Sequence, residues 1–510
     1  MKLKSVGRFL VNGITMTAVS LLMRSVAMAF NAYVAREVGA EAVGLYSLLS
    51  GVYGFALTLA LSGINLSVTR LVSEYLAVNN TGGALRVVKK ALIFALFFGL
   101  SASALLFILT DHIASSWLHE MRIILPLKLL CATLPAVSLS SVMNGYFTAV
   151  RRVYKNALSQ SFEMAIKIAA TVILFCFIKD RSPASACAIL ALGGVTAEFF
   201  ALIFNAAAYF FDRKRYIGAD SGLPSPGVGR RILEISLPVA LTSYVRSALV
   251  SLEHSLIPKG LIKHGSDSAA ALSAYGTLGS MALTVINFPY ALIGSFSTLI
   301  IPEFTESRTR EEKRHLRYLA FRVYQASAVF SFFMMGIFFE FSGEIGVLLY
   351  DSPLAGEYIR ALSFLVPVMY TDTATDSILK GMGEQLYSMR VNIADAVISV
   401  ILVSILVPLW GIYGYIAAIY VAEIINAAFS IFKAVKVCRA RPGIAFVYFR
   451  SLLSVIGGLS VSRLAVHLMG LSTASQLIVF VLVYFLIIRV TDTLSKDDVI
   501  WIKGVFARER

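Results

Sequence analysis

Apolar segments of 20 to 28 residues recur from one end of this 510-residue chain to the other, and that recurrence constrains the fold more than any other feature. At 1.5 Å per residue, a helix of this length crosses a hydrocarbon core of about 30 Å. The apolar runs, punctuated by charge or by Gly and Pro, predict helices near 10–34, 42–68, 87–109, 123–148, 156–178, 186–211, 231–257, 270–300, 318–340, 358–380, 386–408, 412–436, 445–468 and 473–490. Composition agrees with this reading. Hydrophobic residues make up 58% of the chain and charged residues only 15%, against roughly 25% charged in soluble domains. The mean hydropathy is +0.77. The expected class is an all-α polytopic membrane protein of about 14 transmembrane helices.

The net charge of +15 does not point to nucleic acid, because the basic residues sit in short connections and form no continuous face. Of the 45 Lys and Arg, 33 fall on one side when connections are counted alternately and 8 on the other. Positive-inside bias then predicts a plasma membrane protein with both termini cytoplasmic. The four remaining cations, Arg24, Lys167, Arg246 and Arg463, lie within apolar segments. The four cysteines have no paired spacing for a metal or a staple and read as small core residues. The charged N-terminus followed by Ala27-Met28-Ala29 resembles a cleaved leader, but Arg24 interrupts the apolar region, so an uncleaved first helix is expected.

The stretch from Asp212 to Arg231, rich in Gly and Pro, reads as a linker between two halves. The halves echo one another. Met23-Arg24-Ser25 corresponds to Val245-Arg246-Ser247, Gly44-Leu45-Tyr46 to Ser273-Ala274-Tyr275, Glu74 to Glu303, and Asn144-Gly145 to Lys380-Gly381. Two parallel six-helix repeats are expected, giving an N-lobe over 1–211, a cytoplasmic linker over 212–230 and a C-lobe over 231–437. Two further helices and a cytoplasmic tail occupy 438–510.

An ionisable group at the centre of a spanning helix costs at least ~2.5 kcal/mol, so each needs a partner, a wet cavity or a function. Arg24 and Arg246 sit mid-way along the first helix of each repeat, where a two-lobed protein lines its cavity. Two fixed guanidinium groups suit a phosphate or pyrophosphate; the alternative is that each pairs with an acid on a neighbouring helix. Glu163 and Lys167, four residues apart, are expected to form a structural ion pair. Asp372 and Asp376 share that spacing with like charge, which suits a raised pKa or a bound cation, unless they are solvated helix-end residues. Glu198, Glu253, Asp395 and Glu423 either balance the arginines or carry coupling protons. No catalytic set, Walker A loop, GxSxG elbow, HExxH or metal-binding cluster is present in the sequence, so neither an enzyme nor an ATP-driven pump is expected, and no cofactor.

Several segments carry a family resemblance. Asn31-Ala-Tyr-Val-Ala-Arg36-Glu-Val-Gly39, Gly44-Leu-Tyr46 and Leu71-Val-Ser-Glu74-Tyr75 resemble the first two helices of the oligosaccharide flippase branch of the multidrug/oligosaccharidyl-lipid/polysaccharide exporter superfamily. Ile286-Asn-Phe-Pro289, Leu379-Lys-Gly381-Met-Gly383-Glu-Gln385 and Val407-Pro408-Leu-Trp-Gly411-Ile-Tyr-Gly414 are similar to its stage V sporulation protein B group. The resemblance implies two six-helix lobes in a V around a central cavity that opens alternately to either side. The related lipid II flippases have 14 helices and a cationic cavity, and first-helix arginines of their motif match Arg24 and Arg36. A further Arg-Asp pair of that motif is replaced here by Phe30-Asn31. The resemblance therefore implies substrate contacts at Arg24, Asn31 and Arg36, and the repeat adds Arg246. The expected activity is translocation of a polyprenyl-pyrophosphate-linked oligosaccharide or peptidoglycan precursor, drawing on membrane potential, H⁺ or Na⁺. Its expected partners are membrane lipids and glycan-synthesis enzymes, and the chain is expected to be a monomer. The alternatives are a multidrug and toxin exporter moving organic cations, and a membrane glycan polymerase or ligase.

Overall fold

Backbone groups in hydrocarbon have no water to bond, and in the computed structural model every described element is a helix. The structure describes residues 3–216, 227–438, 443–470 and 472–493. In chain order the helices are α1 Leu3–Leu61, α2 Ile64–Ala77, α3 Thr81–His112, α4 Ile124–Cys131, α5 Thr133–Ala149, α6 Tyr154–Phe177, α7 Pro183–Tyr216, α8 Val228–His264 and α9 Ser268–Gly276. They continue with α10 Leu283–Thr309, α11 Lys313–Glu340, α12 Ser342–Tyr350, α13 Pro353–Ser363, α14 Val366–Gly381, α15 Gln385–Cys438, α16 Ile444–Met469 and α17 Thr473–Val490. A π-helical turn over Thr277–Ala282 links α9 to α10.

Large apolar side chains cover the outside, among them Phe177, Ile108 and Val490, each at least 74% exposed. Such a surface suits lipid and not water. The chain is a multi-pass membrane protein, and among the described residues ten helical stretches are long and apolar enough to cross a bilayer, or eleven if the bent pair α4–α5 is one crossing. These stretches do not correspond one to one with the fourteen expected helices, for two physical reasons. First, α1 and α15 run unbroken by hydrogen-bond pattern through glycines whose backbone is not helical, Gly39 (φ 79°, ψ 171°) and Gly411 (φ 59°, ψ −137°). Only glycine adopts these angles without strain. The 54 residues of α15, at 1.5 Å each, would run about 80 Å if straight, far beyond one hydrocarbon core. Second, the segment expected over 358–380 is split into α13 and α14 and carries Asp372 and Asp376. The expected linker also shortens at both ends, since α7 continues to Tyr216 and α8 begins at Val228. Asp212, expected in the linker, is buried and held by Arg152 at 2.5 Å and Lys155 at 2.6 Å. The remainder of the linker and the end of the C-terminal tail lie outside the described residues.

The helices pack into two compact units, one of residues 22–276 and one of residues 277 onward with α1 up to Leu21. The packing thus divides the chain later than the sequence boundary at 212–230, because α8 leans on α2 and α3 within the first unit. A seam runs the length of this contact. Glu74 meets Arg231 at 2.5 Å, Ser67 meets Ser236 at 2.5 Å, Ser62 meets the Tyr244 hydroxyl at 2.5 Å, and Thr58 donates to Ser247 at 3.0 Å. Farther along, the ring of His254 packs over Gly51 and bonds the buried Tyr275 hydroxyl at 2.5 Å. At the far end the backbones touch. A Cβ on Gly44 would lie 1.9 Å from the Leu272 carbonyl oxygen, and one on Gly276 would lie 2.4 Å from that of Ala40.

In the second unit α16 and α17 pack against α11. Tyr484 donates to the Val329 carbonyl at 2.7 Å, Phe480 fills the space over Gly336 and Gly458, and Arg463 grips Glu340 at 2.5 Å with Gln476 on the same carboxylate at 2.9 Å. Arg463, one of the four cations within apolar segments, thereby has a structural role.

Candidate functional site

Two regions hold the charges that the sequence places in apolar segments, one in each unit. In the first, α1 carries Arg24, Asn31 and Arg36, and α8 carries Arg246. Ser247 faces the seam through Thr58. Arg246, one residue earlier and about 100° around the helix, is turned away from it and is exposed, as is Arg24. Among the described residues, neither arginine has an ion-pair or hydrogen-bond partner. The acid pairing weighed for each is not formed among the described residues. Asn31 is half-buried, whereas Arg36 is exposed next to Glu37, which pairs with Arg181 at 2.8 Å. Glu253 lies half-buried in α8, close to the Tyr275 hydroxyl.

The acids of the second unit behave differently. Asp372 on α14 accepts from the Asn426 amide at 3.0 Å, with Ser430 beside it. Asp395 and Glu423, both on α15, approach Asp372 closely enough to act on it electrostatically. All three acids are half-buried. Asp376, expected as the twin of Asp372, also stays within electrostatic range of it but has partners of its own. Its carboxylate holds Lys380 at 2.6 Å and accepts from Ser388, so it sits in an i,i+4 ion pair at the helix end. The helix end was the bland reading for both acids, and the structure applies it to one of them.

The third group lies between α6 and α7. Glu163 and Lys167 are joined there by Glu198, which is within electrostatic range of both. The arrangement is two acids around one lysine, where an isolated pair was expected. Sequence reasoning missed Asn426, which lies three residues after Glu423 on the same helical face, and that i,i+3 spacing was the available signal. It also missed the Glu74–Arg231 and Glu340–Arg463 pairs, whose partners are more than 100 residues apart.

Comparison with known proteins places these features in context. The profile of a family described as polysaccharide biosynthesis protein matches residues 9–299. The stage V sporulation protein B of Bacillus subtilis (strain 168) is 22% identical over 421 residues, covering 81% of this chain and 80% of that protein. The sporulation protein YkvU of the same organism is 22% identical over 366 residues, covering 70% and 78%. Among solved structures, the lipid II flippase MurJ in an inward closed conformation superposes with a TM-score of 0.71 at 13% identity, covering 93% of this chain and 98% of that one. An inward-facing multidrug resistance MATE family transporter of the MOP superfamily gives 0.69 at 15% identity, covering 84% and 98%. At these identities the structural likeness establishes the fold.

Proposed function

From a chain that belongs to the polysaccharide biosynthesis protein family and has the fold shared by MurJ and MATE transporters, we propose a flippase. It moves a polyprenyl-pyrophosphate-linked oligosaccharide or peptidoglycan precursor from the inner to the outer leaflet by alternating access. The observation that carries this reading is the pair Arg24 and Arg246. They occupy equivalent positions of the two sequence repeats, and both are exposed and, among the described residues, without an acid partner. Guanidinium is always charged, and its planar fork matches phosphate oxygens two at a time. In an apolar setting an unpaired arginine is unfavourable until an anion arrives, so the site is most stable when a pyrophosphate is bound. Asn31, two turns along the same face of α1 as Arg24, extends that face toward the glycan and Arg36 lies farther along the helix, while the lipid tail stays in the bilayer.

Alternating access requires that something favour one state over the other. The acid group at Asp372, Asp395 and Glu423, with Asn426, is the proposed place where H⁺ or Na⁺ couples to that change. Glu198 with Glu163, and Glu253, are charge-balancing acids in this reading. Membrane potential acts on such charges with about 2.3 kcal/mol per charge per 100 mV. The chain acts as a transporter in the plasma membrane with its termini cytoplasmic, working as a monomer beside glycan-synthesis enzymes.

The acid group also favours a second reading, export of organic cations by a MATE-like antiporter, since anionic sites attract cations. Depletion in the native cell separates the two. The flippase reading expects lipid-linked glycan precursors to accumulate in the inner leaflet while efflux of cationic dyes is unchanged. Normal precursor flux with lost dye efflux would replace it with the antiporter.

A further inference from the structure

Every fourth residue of α6 from Lys155 to Thr171 is polar, with Ser159, Glu163 and Lys167 between them. The run rises about 24 Å, most of a hydrocarbon core of about 30 Å. Residues at this spacing form one inclined row on a helix, and α7 lies along it. At one end Lys155 reaches the Ala208 carbonyl at 3.5 Å and Asp212 at 2.6 Å. At the other, a Cβ on Gly193 would strike the Thr171 hydroxyl. On α7 the polar residues Glu198, Asn205 and Asp212 recur every seven residues, two turns apart on one face. Phe162 stacks on Phe204 at 5.4 Å, so the antiparallel register sets Ser159 and Asn205 at one level, between that stack and the Lys155 contacts. Glu163, Lys167 and Glu198 form the next level.

Packing alone does not account for the row, because its polar atoms are not spent on one another. The Asn205 side-chain oxygen, the Thr171 hydroxyl and the second Asp212 oxygen are buried with no partner among the described residues. Asn205 and Thr171 are only 1% and 0% exposed. Successive members of the row lie about 6 Å apart along the helix, the span of two hydrogen bonds of about 2.8 Å through one shared oxygen. Buried water settles where two to four polar groups await it. The charge does not close either. Two carboxylates around one ammonium leave one negative charge, which is costly within a membrane, and one proton on a carboxyl brings the group to zero. Besides Lys167, the groups in electrostatic range of Glu198 are Glu163 and the Tyr53 hydroxyl of α1, which is bonded to Thr133 at 2.6 Å.

We propose that this seam is a proton path, in which bridging waters pass a proton from the Asp212 end to a carboxyl of the Glu163–Lys167–Glu198 group. One O–H bond of a hydronium breaks at the Asp212 end and one O–H bond forms on Glu198 or Glu163, each water between them accepting one proton and giving up another. Lys167 keeps its ammonium beside the carboxylate that remains. The next position of the row after Thr171 is Phe175, apolar and 2% exposed, so the path is blind. The proton leaves by the side it entered, cytoplasmic in the proposed orientation, and carries no gradient across. Beyond balancing charge, Glu163 and Glu198 thus hold an exchangeable proton in the first unit.

The test is infrared difference spectroscopy of the full-length protein in phosphatidylcholine nanodiscs, following the carboxylic-acid C=O band through a stopped-flow pH jump. The wild-type band should lose a component when Glu163→Gln, Lys167→Met and Glu198→Gln are combined, a variant that leaves no charge unpaired. Asn205→Leu should keep that component and its titration midpoint but slow its appearance about fivefold, the factor that one lost hydrogen bond represents. Ser159→Ala, the smaller change, should slow it in the same way and decides the matter if Asn205→Leu does not fold. A purely structural row would lower the melting temperature in these variants and leave the rate alone. An unchanged band in the triple variant overturns the proposal, and so does a wild-type rate in both seam variants. None of these readouts involves a glycan, so failure of the flippase reading would leave them unchanged.

Discussion

The two charged regions solve the same problem in opposite ways. Around Asp372 the protein supplies part of what the group needs, an amide from Asn426 at 3.0 Å and the nearby Ser430 hydroxyl, while one of its carboxylate oxygens is buried without a partner among the described residues and further carboxyls crowd it. Around Arg24 and Arg246 it supplies none among the described residues. In the proposed reading the crowded acids are where protonation or ion content changes in place, and the exposed arginines are where an anion docks.

The largest expected effect is on the arginine side. Arg24→Ala with Arg246→Ala removes two charge-assisted anchors worth about 1.5–3 kcal/mol each, so flipping of a lipid-linked glycan in proteoliposomes should fall at least about 100-fold with melting temperature unchanged. A variant that flips normally would move both residues out of the site and collapse the contrast. Next comes Asp372→Asn, which keeps the shape and the Asn426 contact but not the titratable proton. Transport should drop about tenfold, a single anchor's worth, and the residual rate should no longer respond to a pH or Na⁺ gradient. A retained response would shift coupling to Asp395 or Glu423. Arg463→Ala sharpens the comparison from outside both regions, because its partner Glu340 is mostly buried while Arg463 itself is half-exposed. Stability should fall by about 1 kcal/mol, read as a lower melting temperature, with flipping within twofold of wild type. Asp376→Asn should do least. An exposed i,i+4 pair with Lys380 is worth a few tenths of a kcal/mol, and a coupling defect in this variant would restore Asp376 to the acid group.

Much of this was legible in the sequence, because hydrophobic length and loop charge are local properties. The helical class and the membrane setting both follow from short windows of residues. The fate of Asp376 was not legible, since the i,i+4 spacing from Asp372 and that to Lys380 are equally good on paper and only the packing of Ser388 decides between them. The serine and threonine contacts of the seam were also hidden. Thr58 and Ser247 are 189 residues apart, and a single hydroxyl in an apolar run more often bonds its own helix, as Thr58 also does with the Gly54 carbonyl at 2.8 Å. The merging of apolar runs into fewer unbroken helices has a local cause that could have been noticed. Gly39 and Gly411 end two of the runs that carry the family resemblance or lie within them, and a glycine there marks a break the hydrogen-bond pattern bridges.

The seam that α1 and α2 make with α8 and α9 has a mechanical consequence. Its polar contacts are small and separate, and hydroxyl pairs between membrane helices average only about 0.6 kcal/mol each. A joint made this way peels. Load at the Glu74–Arg231 end meets one contact at a time, so the resistance stays at the level of a single bond however long the joint is. At the other end, where Gly44 and Gly276 bring backbone against backbone, there is no side chain to slide past and the joint rolls instead, like a hinge pin set at one edge of a door.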